Sequence, residues 1–151
     1  MKKVFITGLL LWGVMGAKAQ EKKPPIMLNH IAMYVHDLKK ATDFYINILQ
    51  FPVADEPFKD GKHTWFDLSP TSRLHLIEGA PTEIKRDKND HLCFSVASIE
   101  DFIKRLEKFK VDYSDWGGKP KAITHRVDGV KQIYFQDPDG HWIEINNDGY
   151  K

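Results

Sequence analysis

The sequence has a single cysteine and no surplus of basic residues. Cys93 is the only cysteine, so no disulfide bond can form within the chain. Lys and Arg together number 22 against 21 Asp and Glu, and no stripe of basic residues marks a surface for nucleic acid. These shortages exclude a disulfide-held scaffold and argue against nucleic acid as a partner.

The chain also lacks an apolar run long enough to span a membrane. Its longest such stretch, at 4–15, is about a dozen residues, whereas a spanning helix needs roughly 20. Lys2 and Lys3 precede the stretch and Ala17-Lys18-Ala19 follows it, an order typical of a secretory signal peptide and its cleavage site. The sequence therefore predicts a signal peptide at 1–19, export to the periplasm or the medium, and no membrane attachment after cleavage.

The remainder is long enough for one domain but not for two. Removing the signal peptide would take away three basic residues, which leaves 19 against 21 acidic ones and a net charge of −2. The apolar and charged fractions, 42% and 28%, are ordinary for a globular protein. We therefore expect a single domain at 27–147.

The domain contains two halves with the same pattern. Segments 29–35 and 90–96 each carry a polar residue, a histidine and then alternating large apolar residues, which is typical of a strand with one buried face. Asp37 can cap a helix that runs to about Leu49. Ser98 can cap the second helix, with Asp101 as a capping-box partner.

Three short strands are predicted after each helix. They lie at about 52–58, 62–68 and 73–78 in the first half and at about 111–115, 131–136 and 141–146 in the second. Segment 79–89 would link the halves, and the Gly- and Pro-containing insertion at 117–129 would be partly strand at 121–127. The pattern predicts an α+β fold of two βαβββ modules.

Four side chains that can bind a metal occupy matching places in the two halves. His30 and His91 lie on the first strand of each half, and His75 and Glu144 on the last. The period of two along a strand puts His30, Ala32 and Tyr34 on the face opposite the apolar residues. A lone strand histidine is more commonly structural, but a carboxylate between Ile143 and Ile145 needs a cation or firm donors if it is buried.

The symmetric placement therefore predicts one divalent metal. Imidazole and carboxylate ligands suit zinc, nickel, cobalt, manganese or iron, and ligand type does not choose among them. The same face would also carry Cys93 and Tyr134, together with Tyr34, Ser95 and Gln132. The other histidines, including His63, are interpreted as solvated, and so is Arg73. The tryptophans are interpreted as packing residues, with Trp116 a candidate for a lid.

The residues at the two ends of the domain carry a family resemblance. Asn29-His30-Ile31 before a capped helix, and Ile133 to Glu144 around the turn Asp137-Pro138-Asp139-Gly140, resemble the opening and closing segments of the vicinal oxygen chelate superfamily. That superfamily comprises glyoxalases, bleomycin resistance proteins and extradiol dioxygenases. The resemblance covers roughly 27–147.

The resemblance implies an open, cup-shaped mixed sheet with its helices outside and with the metal in the cup. The metal ligands would be His30, His75, His91 and Glu144, and the chain would form a homodimer. A small-molecule substrate would chelate the metal through neighbouring oxygens, with the metal acting as a Lewis acid. The implied function is a lyase or isomerase of glyoxalase type, with Glu144 and Tyr134 as catalytic residues.

Glyoxalase I usually has Glu where this chain has His75, so a glyoxalase-type enzyme would lack one candidate base here. Three alternatives therefore remain open. Extradiol dioxygenases and fosfomycin-type thiol transferases would use only His30, His91 and Glu144. The dioxygenase signature also matches His125 and Tyr134, whereas the fosfomycin enzymes have Thr at the place of Ala32. A relative of the bleomycin-binding proteins would bind a ligand without catalysis.

Overall fold

The computed structural model describes residues 26–82 and 84–150. The predicted signal peptide at 1–19 lies outside these residues and stays a prediction. No helix in the described ranges is long and apolar enough to cross a membrane.

The chain folds into two units of similar order, which confirms the α+β class and the pair of βαβββ modules. The first unit comprises β1 (His30–Val35), α1 (Leu38–Phe44) with a π-helical turn (Tyr45–Leu49), β2 (Val53–Ala54), β3 (His63–Ser69) and β4 (Ser72–Glu78). The second comprises β5 (His91–Ser95), α2 (Ile99–Lys108), β6 (Tyr113–Ser114), β7 (Thr124–His125), β8 (Lys131–Gln136) and β9 (Trp142–Asn146).

The strands form two mixed sheets with the same topology. The first has the order β1-β4-β3-β2 and the second β5-β9-β8-β6, with β7 added to β8. In each sheet the first strand pairs in parallel with the last, and the other pairings are antiparallel. A single cup-shaped sheet that joins the two stays an expectation.

The helices begin at the capping residues that the sequence indicates. Asp37 accepts a hydrogen bond from the amide of Lys40 at 2.9 Å, and Ser98 accepts one from the amide of Asp101 at 3.1 Å. The carboxylate of Asp101 pairs with Lys104 at 2.7 Å, so the Asp101 side chain of the expected capping box is engaged elsewhere. Each cap fixes where the chain turns from a first strand into its helix.

The two units share one hydrophobic core. Phe44 and Phe51 of the first unit contact Phe135 and Phe94 of the second, with ring centroids 6.3 and 5.1 Å apart. The buried Tyr45 hydroxyl donates to Asp137 at 3.0 Å and connects the π-helical turn after α1 to the turn before β9. Burial alternates along β1 as the period of two requires, with Met33 and Val35 buried.

Strand lengths differ from the sequence prediction in three places, and the expected strand at 111–115 is only Tyr113–Ser114. The expected strand at 52–58 is only Val53–Ala54, because Glu56 accepts hydrogen bonds from the amides of Phe58 and Lys59 and turns the chain. The strand within 121–127 is reduced to Thr124–His125. The long strands β3, β4, β8 and β9 lie within a residue or two of their predicted bounds.

Candidate metal and substrate site

The first unit brings two of the predicted ligands together. His30 lies on the edge strand β1 and His75 on the neighbouring β4, and their ring centroids are 6.1 Å apart. In the register of these strands Ala32 lies opposite His75, so His30 is offset by two residues on the same face. His30 is exposed, whereas His75 is buried in the middle of the sheet.

His75 has an unsatisfied nitrogen. Its Nε2 is buried, and no described group hydrogen-bonds to it. Burial lowers the pKa of His75, and the nearby His63 and His30 lower it further. The imidazole is therefore held in the neutral form that binds metals. A buried nitrogen of this kind is costly unless a partner is supplied.

Two more residues, Trp65 and His63, lie beside His75, and sequence interpretation missed both contacts. Trp65, opposite His75 on β3, stacks on its ring at 4.0 Å and 16°. The ring of His63 lies 5.0 Å from that of His75, and its Nδ1 lies 2.8 Å from Asp60. The signal for both was the period of two along β3, which places residues 63 and 65 on one face.

The second unit surrounds Glu144 with donors. Its Oε2 accepts a hydrogen bond from the Tyr134 hydroxyl at 2.6 Å. Its Oε1 accepts one from Asn146 Nδ2 at 2.9 Å and one from Cys93 Sγ at 3.3 Å. These neighbours sit where the register requires, since Cys93 and Tyr134 lie directly opposite Glu144 on β5 and β8.

The protonation of this group follows from its surroundings. Burial alone would raise the pKa of Glu144, but hydrogen bonds from Tyr134, Asn146 and Cys93 outweigh it, and the pKa is lowered. Burial and the carboxylate raise the pKa of Cys93 to about 12 and also raise that of Tyr134. Glu144 is therefore ionised at neutral pH, while the thiol and the phenol keep their protons.

His91 is oriented toward Glu144. Its Nδ1 lies 2.7 Å from the carbonyl oxygen of Lys88, and since a carbonyl only accepts, Nδ1 carries the proton. The other nitrogen, Nε2, is 3.3 Å from Glu144 Oε2. When the imidazole is neutral, His91 Nε2 and Glu144 Oε2 are both acceptors, and a proton or a cation is needed between them.

The edge of the second site carries aromatic and basic side chains. Trp116 contacts Tyr134 edge-on at 5.4 Å. Lys88 places its ammonium 4.6 Å from the centre of Trp142 and 5.4 Å from that of Tyr134, a cation–π arrangement. Sequence interpretation missed Lys88, because it lies in the linker at 79–89.

The remaining candidates on this face are dispersed. Tyr34 is about half exposed, Ser95 donates to Asn146 at 2.9 Å, and Gln132 contacts the Tyr134 hydroxyl. Arg73 pairs with Asp67 at 3.0 Å on the surface, in agreement with its interpretation as a solvated residue.

The structure therefore presents the four predicted ligands as two pairs. Within residues 26–82 and 84–150, no group of three or more His, Cys, Asp or Glu side chains lies close enough to hold a metal. Each pair nevertheless fits a divalent cation, because one has a buried nitrogen without a partner and the other has two facing acceptors. The four-ligand site stays a prediction.

Comparisons with known proteins point to one family. The family model described as Glyoxalase/Bleomycin resistance protein/Dioxygenase superfamily matches residues 27–145. Metallothiol transferase FosB of Staphylococcus epidermidis is 29% identical over an alignment of 124 positions that covers 79% of this chain and 80% of that protein. Lactoylglutathione lyase of Pseudomonas putida is 23% identical over an alignment of 162 positions that covers 85% of this chain and 89% of that protein.

One similar solved structure contains a divalent metal. A variant of the fosfomycin resistance protein FosX from Listeria monocytogenes, complexed with Mn(II) and 1S,2S-dihydroxypropylphosphonic acid, matches with a TM-score of 0.63 and 25% identity. The match covers 80% of this chain and 91% of that one. Both it and the sequence relatives align along most of their length.

Proposed function

Because the chain belongs to the Glyoxalase/Bleomycin resistance protein/Dioxygenase superfamily, we propose that it is a metal-dependent enzyme of lyase or isomerase type. Its substrate is a small molecule that chelates one divalent metal through neighbouring oxygens. His30, His75, His91 and Glu144 are the proposed ligands. The proposed metal is zinc, nickel, cobalt, manganese or iron.

One observation supports His75 as the fourth ligand. Its Nε2 atom is buried and has no hydrogen-bond partner among the described residues, and it lies on the same sheet face as His30. A purely structural histidine in such a place would be expected to hydrogen-bond. A metal ion bound to this nitrogen would explain both its burial and its lack of a partner among the described residues.

We further propose that two copies of the chain build each site. His30 and His91 lie on β1 and β5, and each of these strands pairs with only one other strand within the described residues. If β1 of one copy lies beside β5 of the other, the pair from the first unit can meet the pair from the second. The arrangement yields two equivalent sites in a homodimer.

In this proposal Glu144, held by Tyr134, accepts the proton that the substrate loses. The metal supplies Lewis acidity to the chelated substrate oxygens. Glu144 is ionised, so its Oε2 can accept a proton from a substrate carbon or hydroxyl. The Tyr134 hydroxyl lies 2.6 Å from Oε2. It orients the carboxylate and can donate a hydrogen bond to it while the charge of the carboxylate changes. His91 stays oriented by the Lys88 carbonyl.

A thiol transferase is the second candidate. The likeness to the metallothiol transferase FosB, at 29% identity over four-fifths of both chains, favours it. Such an enzyme would need only His30, His91 and Glu144, and an extradiol dioxygenase would use the same three with iron. A non-catalytic ligand-binding protein is the remaining alternative, and it would need no metal.

Export is a separate proposal. It is supported only by the order of basic start, apolar stretch and small-residue cleavage pattern in residues 1–19. Expression in a bacterial host with intact mass measurement of the periplasmic fraction tests it. A chain that begins near Gln20 supports export, and an uncleaved cytoplasmic chain refutes it.

Metal content per chain is the first test of the proposed site. We expect one divalent ion per wild-type chain. For Glu144→Gln and for His75→Ala we expect affinity at least about 100-fold weaker, since even residues behind the ligands affect affinity 10- to 100-fold. Iron retained by His75→Ala would favour the dioxygenase, and another metal retained with thiol-transfer activity would favour the transferase. A wild type that binds no added metal would refute the enzyme proposal.

Mixing two defective variants tests whether the site is shared. A dimer of one His75→Ala chain and one Glu144→Gln chain has one site with both defects and one site with neither. We expect each variant alone to lack tight binding and the co-refolded mixture to regain one metal per mixed dimer. The double variant His75→Ala/Glu144→Gln mixed with itself is the control. A mixture with no regained binding would mean that all four ligands come from one chain.

A further inference from the structure

Besides His75 Nε2, the indole nitrogen of Trp65 is a buried side-chain atom without a hydrogen-bond partner among the described residues. Among the described residues, only Trp65 Nε1 and His75 Nε2 are buried side-chain nitrogen or oxygen atoms that lack a hydrogen bond. Both belong to the same stacked pair of rings, 4.0 Å apart. Trp65 is 9% exposed and His75 is 6% exposed. Two such defects in one contact call for a common explanation.

The two nitrogens cannot satisfy each other. An N–H bond and an imidazole lone pair both lie in the plane of their own ring. Because the two rings are nearly parallel, at 16°, each nitrogen points along its own plane and not at the other ring. Each therefore needs a partner at the edge of the stack. The indole can only donate, and so its partner must be an acceptor.

The second unit shows what the equivalent donor does. Trp65 lies opposite His75 in the first sheet as Tyr134 lies opposite Glu144 in the second. The Tyr134 hydroxyl donates to Glu144 at 2.6 Å. The Trp65 N–H has no such acceptor within its own sheet, so this position keeps a free donor beside a proposed metal ligand.

We propose that the Trp65 indole N–H donates a hydrogen bond to an oxygen of the ligand that chelates the metal at His75. The proposal rests on the metal-dependent function put forward above. It makes Trp65 a substrate-binding residue, and it names the ligand class as molecules with an anionic oxygen beside the metal-binding oxygens, such as carboxylates, hydroxamates and phosphonates. A donor aimed at that oxygen favours the charged form over a neutral ketone or ether.

Access to this donor requires little rearrangement. Phe58, from the loop between β2 and β3, packs near both rings, 6.0 Å from His75 and 6.5 Å from Trp65. Its side chain is 57% exposed, so turning it aside breaks few contacts. Turning it aside would break its contact with His63, at 4.7 Å, and would leave the strands that carry His75 and Trp65 in place.

The test uses the zinc-loaded protein and acetohydroxamate, a chelator that binds through two neighbouring oxygens. Trp65→Phe keeps an aromatic ring on His75, removes the N–H and shortens the ring system. We expect acetohydroxamate affinity to fall about tenfold, the loss of one hydrogen bond to a charged oxygen. The zinc affinity of the same variant is the control, and it should stay near the wild-type value if the smaller ring leaves the fold and the metal ligands in place.

A second measurement does not depend on the folding of the variant. In wild-type protein labelled with ¹⁵N-tryptophan, the indole proton of Trp65 should move downfield when acetohydroxamate is added to the zinc form. The signals of Trp116 and Trp142 should move less. An unmoved Trp65 signal, or equal affinity in Trp65→Phe and wild type, would overturn the proposal and leave the metal site standing. Failure of the wild type to bind zinc would overturn both.

Discussion

The two halves of the candidate site have the same backbone and opposite chemistry. His30 and His91 take equivalent places on β1 and β5, and His75 and Glu144 take equivalent places on β4 and β9. Glu144 is surrounded by donors, whereas the buried Nε2 of His75 has no hydrogen-bond partner among the described residues. The carboxylate of the second half is therefore fixed by its own neighbours, and the buried imidazole of the first half is not.

This contrast shows how a repeated fold can divide a task. A satisfied polar network fixes side-chain positions, and removing one member leaves the others unpaired. A buried nitrogen without a partner lowers the free energy of unfolding, and a ligand that binds to it removes that penalty. The prediction is that equal changes in the two halves have opposite effects on the stability of the metal-free protein.

The largest effect is expected at Glu144. Replacing it with Leu leaves the buried Tyr134 hydroxyl without its acceptor and leaves Asn146 Nδ2 with only the Cys93 sulfur, at 3.1 Å. Loss of one member of such a network should lower the free energy of unfolding by about 3 kcal/mol. Urea denaturation of the metal-free variant measures this. Glu107→Leu, on the exposed face of α2, is the control and should change stability little.

The same carboxylate predicts a pH dependence. The folded-state pKa of Glu144 is lowered, so its contribution is present above the ordinary pKa of 4.5 and is lost as the pH falls through the folded value. Metal-free wild type should therefore lose more stability than Glu144→Gln between pH 6 and pH 3. Parallel loss in the two proteins would mean that the donors around Glu144 do not favour its charged form.

An opposite and smaller effect is expected at His75. In His75→Leu the buried nitrogen without a partner is replaced by apolar atoms of similar size, which should raise the free energy of unfolding of the metal-free protein by about 1 kcal/mol. Metal binding should be lost at the same time. The exposed His30→Leu is the control, because it removes a ligand without removing a buried defect. A destabilised His75→Leu would mean that the imidazole has a structural partner.

Much of this contrast was visible in the sequence, and part of it was not. The period of two along β1 and β5 predicted which residues share a face, and the turn Asp137-Pro138-Asp139-Gly140 fixed the predicted bounds of β8 and β9. The stacking of Trp65 on His75 depends on the register of β3 against β4, which a local pattern does not specify.

The same reason explains two other differences. His63 was interpreted as solvated because nothing near it in sequence marks His75 as its neighbour. The two-residue β2 differs from the predicted 52–58 because the side chain of Glu56 captures two backbone amides. Contacts formed by side chains across strands or back onto the backbone are decided by the whole fold.

The smallest predicted difference between the halves lies in their helices. Ser98 caps the ten-residue α2, whose first turn also carries Glu100 and Asp101 next to the positive end of the helix. Asp37 caps the seven-residue α1, whose first turn has no other acidic residue and which continues into a π-helical turn.

The cap should therefore matter more in the first half. A lost cap costs roughly 0.5 to 2 kcal/mol, and we expect Asp37→Ala near the top of that range and Ser98→Ala near the bottom. In α2 the two remaining carboxylates still favour the exposed amides, whereas α1 keeps only the longer hydrogen bond from the Leu38 amide to Glu78, at 3.4 Å. Thermal unfolding of both variants measures the difference. Equal losses would mean that the first-turn carboxylates of α2 do not compensate for its cap.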